Sequence, residues 1–167
     1  MINDVILPTG TQYEISHGPW QAIVTEQGAT LRSLRYDGVD VVKSFNADQS
    51  PASSQGQQLL PWSNRIRDGH YTFNGVEQQL AVSEVDRHNA IHGLVAWSRW
   101  SLVKHTDTSV TQAIRIMARP GWPGTIDVHL THRLSDTGLA IEVTARNVGT
   151  TAVPFGYAAH PYFCLGG

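Results

Sequence analysis

Apolar and polar residues alternate with a period of two along much of the chain. The longest alternating segment covers residues 126–134, and it resumes over residues 139–145 after the turn residues Asp136-Thr137-Gly138. Successive side chains of a β-strand point to opposite faces, so this pattern predicts a hairpin with one buried face. Shorter alternating segments, at 13–42 and 110–117, predict further strands.

Turn residues separate these segments. The dipeptides Asp37-Gly38 and Asn74-Gly75 predict tight hairpin turns, because these residue types tolerate a positive φ. Leu80, Val82 and Val85 extend the strand rhythm after the second turn, whereas residues 44–58 contain almost nothing apolar and predict a surface loop. Since no sustained helical period occurs, we expect an all-β fold, an antiparallel β-sandwich with one domain over residues 1–167.

Composition indicates a folded protein without a charged macromolecular partner. The 167 residues are 41% hydrophobic and 16% charged, with a formal net charge of -2. No run of Lys or Arg provides a binding surface for nucleic acid or an acidic membrane, so we expect neither partner. The N-terminal residues lack the pattern of a signal peptide, and a cytoplasmic location is expected. Cys164 is the only cysteine, which excludes an intrachain disulfide and predicts a small buried side chain.

The eight histidines raise the question of a metal site. His129 and His132 are three residues apart on a predicted strand, so they point to opposite faces and cannot hold one ion together. His88 and His92 could share a face, but no cysteine or acidic cluster accompanies them at ligand spacing. We therefore expect no metal site.

Two segments carry candidate chemistry. The Asn64-Arg65 pair follows Pro61, which predicts a rigid loop or bulge, and it offers donors and acceptors for sugar hydroxyls, a carboxylate or a phosphate. The alternative is a surface loop with a structural arginine. His160 lies between small residues and Pro161, and near neutral pH its imidazole can both give and take a proton. The alternative for His160 is a structural histidine in the core.

The aromatic pair Trp97 and Trp100 has two interpretations. Core packing is predicted for each ring, because buried aromatic residues outnumber ligand platforms. A wall on which a sugar ring stacks is the alternative.

Three motifs occur together in one order: Asn64-Arg65-Ile66, Asn89-Ala90-Ile91-His92-Gly93 and His160-Pro161-Tyr162-Phe163. With them the chain resembles the aldose 1-epimerase (galactose mutarotase) family. The likeness covers essentially the whole chain but only the first part of the family's length. It implies the galactose mutarotase-like supersandwich, here in truncated form.

The resemblance also implies a role for each matching residue. His160 matches the general acid that protonates the ring oxygen of a sugar, while His92, Asn64 and Arg65 match ligands of sugar hydroxyls and Tyr162 lies in a substrate-contact motif. The family's glutamate base and a hydroxyl-binding aspartate would lie beyond Gly167. The implied activity is interconversion of the α and β anomers of a hexose without cofactor or metal, impaired in this chain.

Other functions stay open at this point. A mutarotase for a sugar phosphate or sulfonate would use Arg65, Arg67 or Arg87 to bind the charge. A non-catalytic carbohydrate-binding module and a structural β-domain without ligand are the other two. If the family's sheets need strands from both halves, residues 157–165 form an unpaired apolar edge, and such edges promote self-association.

Overall fold

The computed structural model describes residues 6–165. Over these residues the chain forms fourteen β-strands and two 3₁₀ helices, Ala52–Ser54 and Val85–Arg87. The sequence-based prediction of an all-β fold is confirmed. Between residues 6 and 165, no helix has the length and apolar character to cross a membrane.

The first sheet is antiparallel and has four strands: β1 (Gln12–His17), β2 (Trp20–Thr25), β3 (Leu31–Tyr36) and β4 (Val39–Asp40). The predicted turn between β3 and β4 is present, with φ of 49° at Asp37 and 77° at Gly38. Alternate residues are buried in β1 (Tyr13 and Ile15), and Ala22 and Val24 are buried in β2, which is what the period-two pattern predicts, whereas both residues of β4 are exposed.

Five shorter strands follow: β5 (Gln58–Leu59), β6 (Arg65–Arg67), β7 (His70–Phe73), β8 (Val76–Gln79) and β9 (Asn89–Ile91). β7 and β8 form the hairpin predicted from Asn74-Gly75, both of which have positive φ. β6 pairs antiparallel with β9, with Arg65 opposite Ile91 and Arg67 opposite Asn89.

The second large sheet contains β10 (Ser101–His105), β11 (Ser109–Ile116), β12 (Ile126–Ser135) and β13 (Gly138–Asn147). β12 and β13 are the long hairpin predicted from the alternating pattern, paired from Ile126 with Asn147 to Ser135 with Gly138. The last strand, β14 (Ala158–Ala159), does not join this sheet but pairs with β5.

Two apolar clusters fill the interior. One packs the inner faces of β1, β2 and β3 against Val110 and Leu134 at one end of the second sheet. The other centres on the fully buried Trp100, Trp122 and Leu60, and it supports the short strands from below. The short strands that carry or flank the candidate residues therefore rest on a packed core.

Two segments differ from the sequence-based prediction. Residues 44–58 are not a surface loop throughout, because Gln55, Gly56, Gln57 and Gln58 are buried. The side-chain amide of Gln57 donates to the Ala96 carbonyl at 3.0 Å, which is how a polar residue is accommodated there. The predicted strand over residues 80–85 is also wrong, since β8 ends at Gln79 and a 3₁₀ helix begins at Val85.

Three further predictions need correction. Trp100 is buried as predicted, but Trp97 is 60% exposed, and Cys164 is exposed rather than buried. The segment 157–165 is not an unpaired edge: besides the pairing of β14 with β5, Phe163 forms a bridge with Val42. Within the described residues, the long strand with one unpaired side at the margin of its sheet is β13.

His132 is the polar residue whose burial is hardest to reconcile with an apolar core. It is 0% exposed between Val110 and Ile141 on the neighbouring strands, and neither ring nitrogen has a hydrogen-bond partner among the residues that the structure describes. Burial lowers its pKa from 6.5 to about 3, because the charged imidazolium cannot be solvated there. The folded chain therefore keeps this imidazole neutral over a pH range in which the unfolded chain protonates it.

We predict that His132 makes the fold sensitive to acid. Between a pKa of about 3 when folded and 6.5 when unfolded, the unfolded state binds the extra proton, so the free energy of unfolding decreases as pH falls through this window. In His132→Leu the loss at about pH 5 should be smaller by about 2 kcal/mol. Urea unfolding at neutral and acidic pH measures this difference. His129→Gln, on the exposed face of the same strand, is the control, and an identical acid loss in wild type and His132→Leu would contradict the prediction.

Candidate functional site

All five residues that the sequence analysis selects line one cavity of about 710 Å³: Asn64, Arg65, His92, His160 and Tyr162. They come from three separate parts of the chain. Backbone pairing brings them together.

The pairing of β6 with β9 brings Asn64 next to His92. Asn64 immediately precedes β6 and His92 immediately follows β9, and in an antiparallel pair these two positions lie at the same end. The His92 N–H donates to the Asn64 carbonyl at 2.9 Å, and the Asn64 N–H donates to Nδ1 of the His92 ring at 3.2 Å. Both residues adopt left-handed backbone conformations, with φ of 57° and 61°. This reciprocal bonding holds both residues in a conformation that non-glycine residues rarely adopt.

The buried segment around Leu60 brings His160 to the same cavity. β14 pairs with β5 on one side, and the backbone of His160 continues that pairing with an N–H donated to Gln57 at 3.0 Å. On the other side, Leu60 bridges to Gly93, and the Leu94 N–H donates to the Leu60 carbonyl at 2.8 Å. His92 and His160 therefore lie on either side of one short buried strand.

The two imidazole rings meet edge to face, with centroids 5.3 Å apart and an interplanar angle of 79°. Tyr162 covers His160 on another side at a centroid distance of 5.3 Å, and its hydroxyl donates to the Ser53 carbonyl at 3.1 Å. Burial, followed by the positive charges of His160 and Arg65, lowers the pKa of His92. The neutral form of the His92 ring is therefore favoured.

Arg65 lies at the start of β6, not in a loop, and forms a bidentate ion pair with Glu84. Its Nε donates to Oε2 and its Nη2 donates to Oε1, each at 2.7 Å, while Nη1 donates to the Asn64 side-chain oxygen at 3.2 Å. The hydrogen bonds from Arg65 and then from Asn89 lower the pKa of Glu84 to about 2. Glu84 is therefore an anion, and a weak base, at any ordinary pH.

Sequence reasoning missed Glu84 as a residue of the site. It is one of fourteen acidic residues, lies 19 positions from Arg65 and belongs to no motif that marks it. The only available signal was its position five residues before Asn89, within the charged segment that leads to the second motif. Asn89 itself is buried and donates to Oε2 of Glu84 at 2.9 Å.

The arrangement has the properties of a small polar binding site. Its lining residues include two arginines and two acidic residues, Arg65, Arg87, Glu84 and Asp86, so the fixed charges balance. Two imidazoles, a phenol and the Asn64 amide supply hydrogen-bonding groups without net charge. Such a lining suits a neutral ligand with many hydroxyls better than an anion.

The sequence of the chain is similar to those of known proteins. A family model described as aldose 1-epimerase matches residues 11–167. The uncharacterized protein YihR of Escherichia coli K12 is 34% identical over 155 residues, which cover 92% of this chain and 50% of that protein. The aldose 1-epimerase of the same strain is 28% identical, in a match that covers 100% of this chain and 53% of that enzyme. The chain spans about half the length of the curated relatives it matches.

The chain also superimposes on solved structures of aldose epimerase homologues. The GalM/aldose epimerase homologue of C. elegans superimposes with a TM-score of 0.78 at 23% identity, over 93% of this chain and 51% of that one. A galactose 1-epimerase from Lactobacillus acidophilus superimposes with a TM-score of 0.73 at 20% identity, over 89% and 46%. At these identities the likeness establishes the fold.

We predict that Gly93 is required for the bridge to Leu60. Its φ is 78°, and a Cβ added there would collide with the Leu60 backbone. Gly75 has a similar φ of 76°, but a Cβ added there meets nothing. Gly75→Ala should therefore lose about 1–2 kcal/mol of unfolding free energy from the left-handed conformation alone, and Gly93→Ala about 1–3 kcal/mol more from the forced backbone shift. Urea unfolding of both variants tests this, and equal losses would contradict it.

We also predict the tautomer of His92. Because its Nδ1 accepts the Asn64 N–H, the neutral ring must carry its proton on Nε2. Nitrogen-15 chemical shifts should show an unprotonated Nδ1 at neutral pH, and a titration should give His92 a pKa below the ordinary histidine value of 6.5. A protonated Nδ1 at neutral pH would rule out the hydrogen bond on which the site geometry depends.

Proposed function

The chain belongs to the aldose 1-epimerase family, and on that premise we propose that its cavity binds a neutral aldose and contributes to the interconversion of its α and β anomers. The observation that carries the proposal is the edge-to-face pair of His92 and His160 on one cavity with Asn64 and Arg65. A volume of about 710 Å³ is within the range of small-molecule sites and accommodates a monosaccharide.

His160 is the proposed general acid. It donates a proton to the ring oxygen of the sugar while a base removes the proton of the anomeric hydroxyl, and the bond between C1 and the ring oxygen breaks to give the open aldehyde. Rotation about the bond next to the aldehyde, followed by the reverse transfers on the other face, closes the ring as the other anomer. His92, Asn64 and Arg65 bind hydroxyls, and Tyr162 forms a wall beside the acid.

Glu84 is not the proposed base. Both of its oxygens accept hydrogen bonds from Arg65, and a carboxylate whose pKa is about 2 has little tendency to take a proton from a hydroxyl. Asp86 is the other carboxylate among the described lining residues, and it has no hydrogen-bonded contact with the histidine pair. The chain is therefore expected to accelerate ring opening only weakly.

A sugar phosphate or sulfonate is the second candidate ligand, and one residue favours it. The Arg87 side chain is 68% exposed, and its Nη1 lies 3.9 Å from Glu84, too far for a hydrogen bond. This guanidinium can pair with an anionic substituent at the mouth of the cavity. The balanced charge of the whole lining still favours the neutral aldose.

We predict that His160→Asn removes whatever acceleration of mutarotation the chain provides. General acid assistance is typically worth about 10²- to 10⁴-fold, so the variant should return the rate to that of buffer. Polarimetry of α-D-galactose and α-D-glucose measures the rate, with His70→Asn, outside the cavity lining, as the control. An acceleration that survives His160→Asn would contradict the assignment.

Binding separates the remaining possibilities. Chemical shift changes on adding methyl glycosides of galactose or glucose, which cannot open their rings, should map to His92 and His160. Binding without any acceleration would favour a carbohydrate-binding module, and tighter binding of glucose 6-phosphate than of these glycosides would favour the anionic ligand.

A further inference from the structure

Glu84 has an unusually complete set of partners for a surface carboxylate. Its side chain is 20% exposed, and its two oxygens accept three short hydrogen bonds, two from Arg65 and one from Asn89. Surface ion pairs of arginine and carboxylate contribute little to stability in general, unless their geometry is bidentate and fixed. Here it is both.

The backbone fixes the position of the carboxylate. The Glu84 N–H donates to the Asn89 carbonyl at 2.9 Å, and the Asn89 N–H donates to the Glu84 carbonyl at 3.1 Å, which closes a loop around the 3₁₀ helix Val85–Arg87. His88 adopts the left-handed conformation, with φ of 53°, that lets the chain turn back. Because Asn89 begins β9, which pairs with β6, the carboxylate is anchored to the same two strands that carry Arg65.

The count of donors on Arg65 shows what remains for a ligand. A guanidinium has five N–H groups in one plane. Three are engaged, one on each nitrogen: Nε and Nη2 with Glu84, and Nη1 with Asn64. Within residues 6–165, one N–H on each terminal nitrogen is left without a partner, and Arg65 lines the cavity.

We propose that Glu84, anchored by Asn89, is a positioning residue that holds the Arg65 guanidinium so that its two remaining N–H groups bind neighbouring hydroxyl oxygens of a neutral aldose. This inference rests on the proposed function of the cavity. Glu84 contributes in two ways. It orders the flexible Arg65 side chain before the ligand arrives. Its negative charge also neutralises the positive charge of Arg65, so that the pair provides directional hydrogen bonds without attracting an anion.

The second contribution makes the inference testable by selectivity. When Glu84 is neutral, Arg65 becomes an unpaired cation in the cavity. Glu84→Gln should then weaken binding of methyl galactoside or methyl glucoside by about three- to tenfold, as expected when one long side chain must be ordered on binding. The same variant should bind glucose 6-phosphate more tightly than wild type does. A residue with only a structural role would not move the two affinities in opposite directions.

A matched control exists on the outer face of the second sheet. Arg115 and Asp127 form another bidentate pair, with Nε to Oδ1 at 2.5 Å and Nη2 to Oδ2 at 2.7 Å, and neither residue lines the cavity. Asp127→Asn removes a charge of the same kind and should change neither affinity. If Glu84→Gln fails to fold, Arg65→Lys serves instead, because lysine keeps the positive charge but lacks the planar fork. It should lose glycoside affinity to a similar extent.

Calorimetric titration of wild type, Glu84→Gln and Asp127→Asn with the methyl glycosides and with glucose 6-phosphate gives the decisive result. Wild type that binds the glycosides, together with Glu84→Gln of unchanged glycoside affinity and unchanged preference, would overturn the positioning role and leave the proposed function intact. Wild type that binds no sugar at all would overturn both. The Nε–H resonance of Arg65 gives an independent readout: it should exchange slowly with water in wild type and Asp127→Asn, and rapidly in Glu84→Gln.

Discussion

Backbone hydrogen bonds on both sides of one buried strand determine where the candidate site lies. Gln58, Leu59 and Leu60 are at most 3% exposed, so their peptide groups must find partners within the protein. β14 supplies them on one side and the Gly93-Leu94 segment on the other. His160, which follows β14, and His92, which precedes Gly93, are thereby brought close to each other. The site is thus a consequence of satisfying a buried backbone, and the apolar core beneath it provides the rigidity.

A second constraint acts on the side of His92. Asn64 and His92 both occupy the left-handed region, a conformation that costs a non-glycine residue on the order of 1 kcal/mol or more. The hydrogen bonds that each donates to the other offset this strain. They also fix the orientation of the His92 ring, because one of them ends on Nδ1. A strained conformation held by reciprocal bonds at the rim of a cavity is the kind of feature that accompanies ligand sites more often than plain scaffolds.

Local sequence patterns predict most of the fold but little of the geometry of the site. The β12–β13 hairpin and the turns at Asp37-Gly38 and Asn74-Gly75 followed from the sequence, because alternation and turn chemistry act over a few residues. The burial of residues 55–58 did not, since polar side chains there are satisfied by distant partners such as the Ala96 carbonyl. The same holds for Glu84, whose role depends on an ion pair that spans 19 residues. Motif resemblance indicated which residues face the cavity, but it could not indicate what holds them there.

The environment of His92 disfavours its protonation. Protonation of His92 would remove the lone pair that accepts the Asn64 N–H, and it would place a second positive charge next to Arg65. It would also put two cationic rings at a centroid distance of 5.3 Å if His160 were charged as well. His92 therefore favours the neutral imidazole, which donates through Nε2. In the proposed anomerisation, a neutral His92 binds a hydroxyl without competing for the proton that His160 would transfer to the ring oxygen.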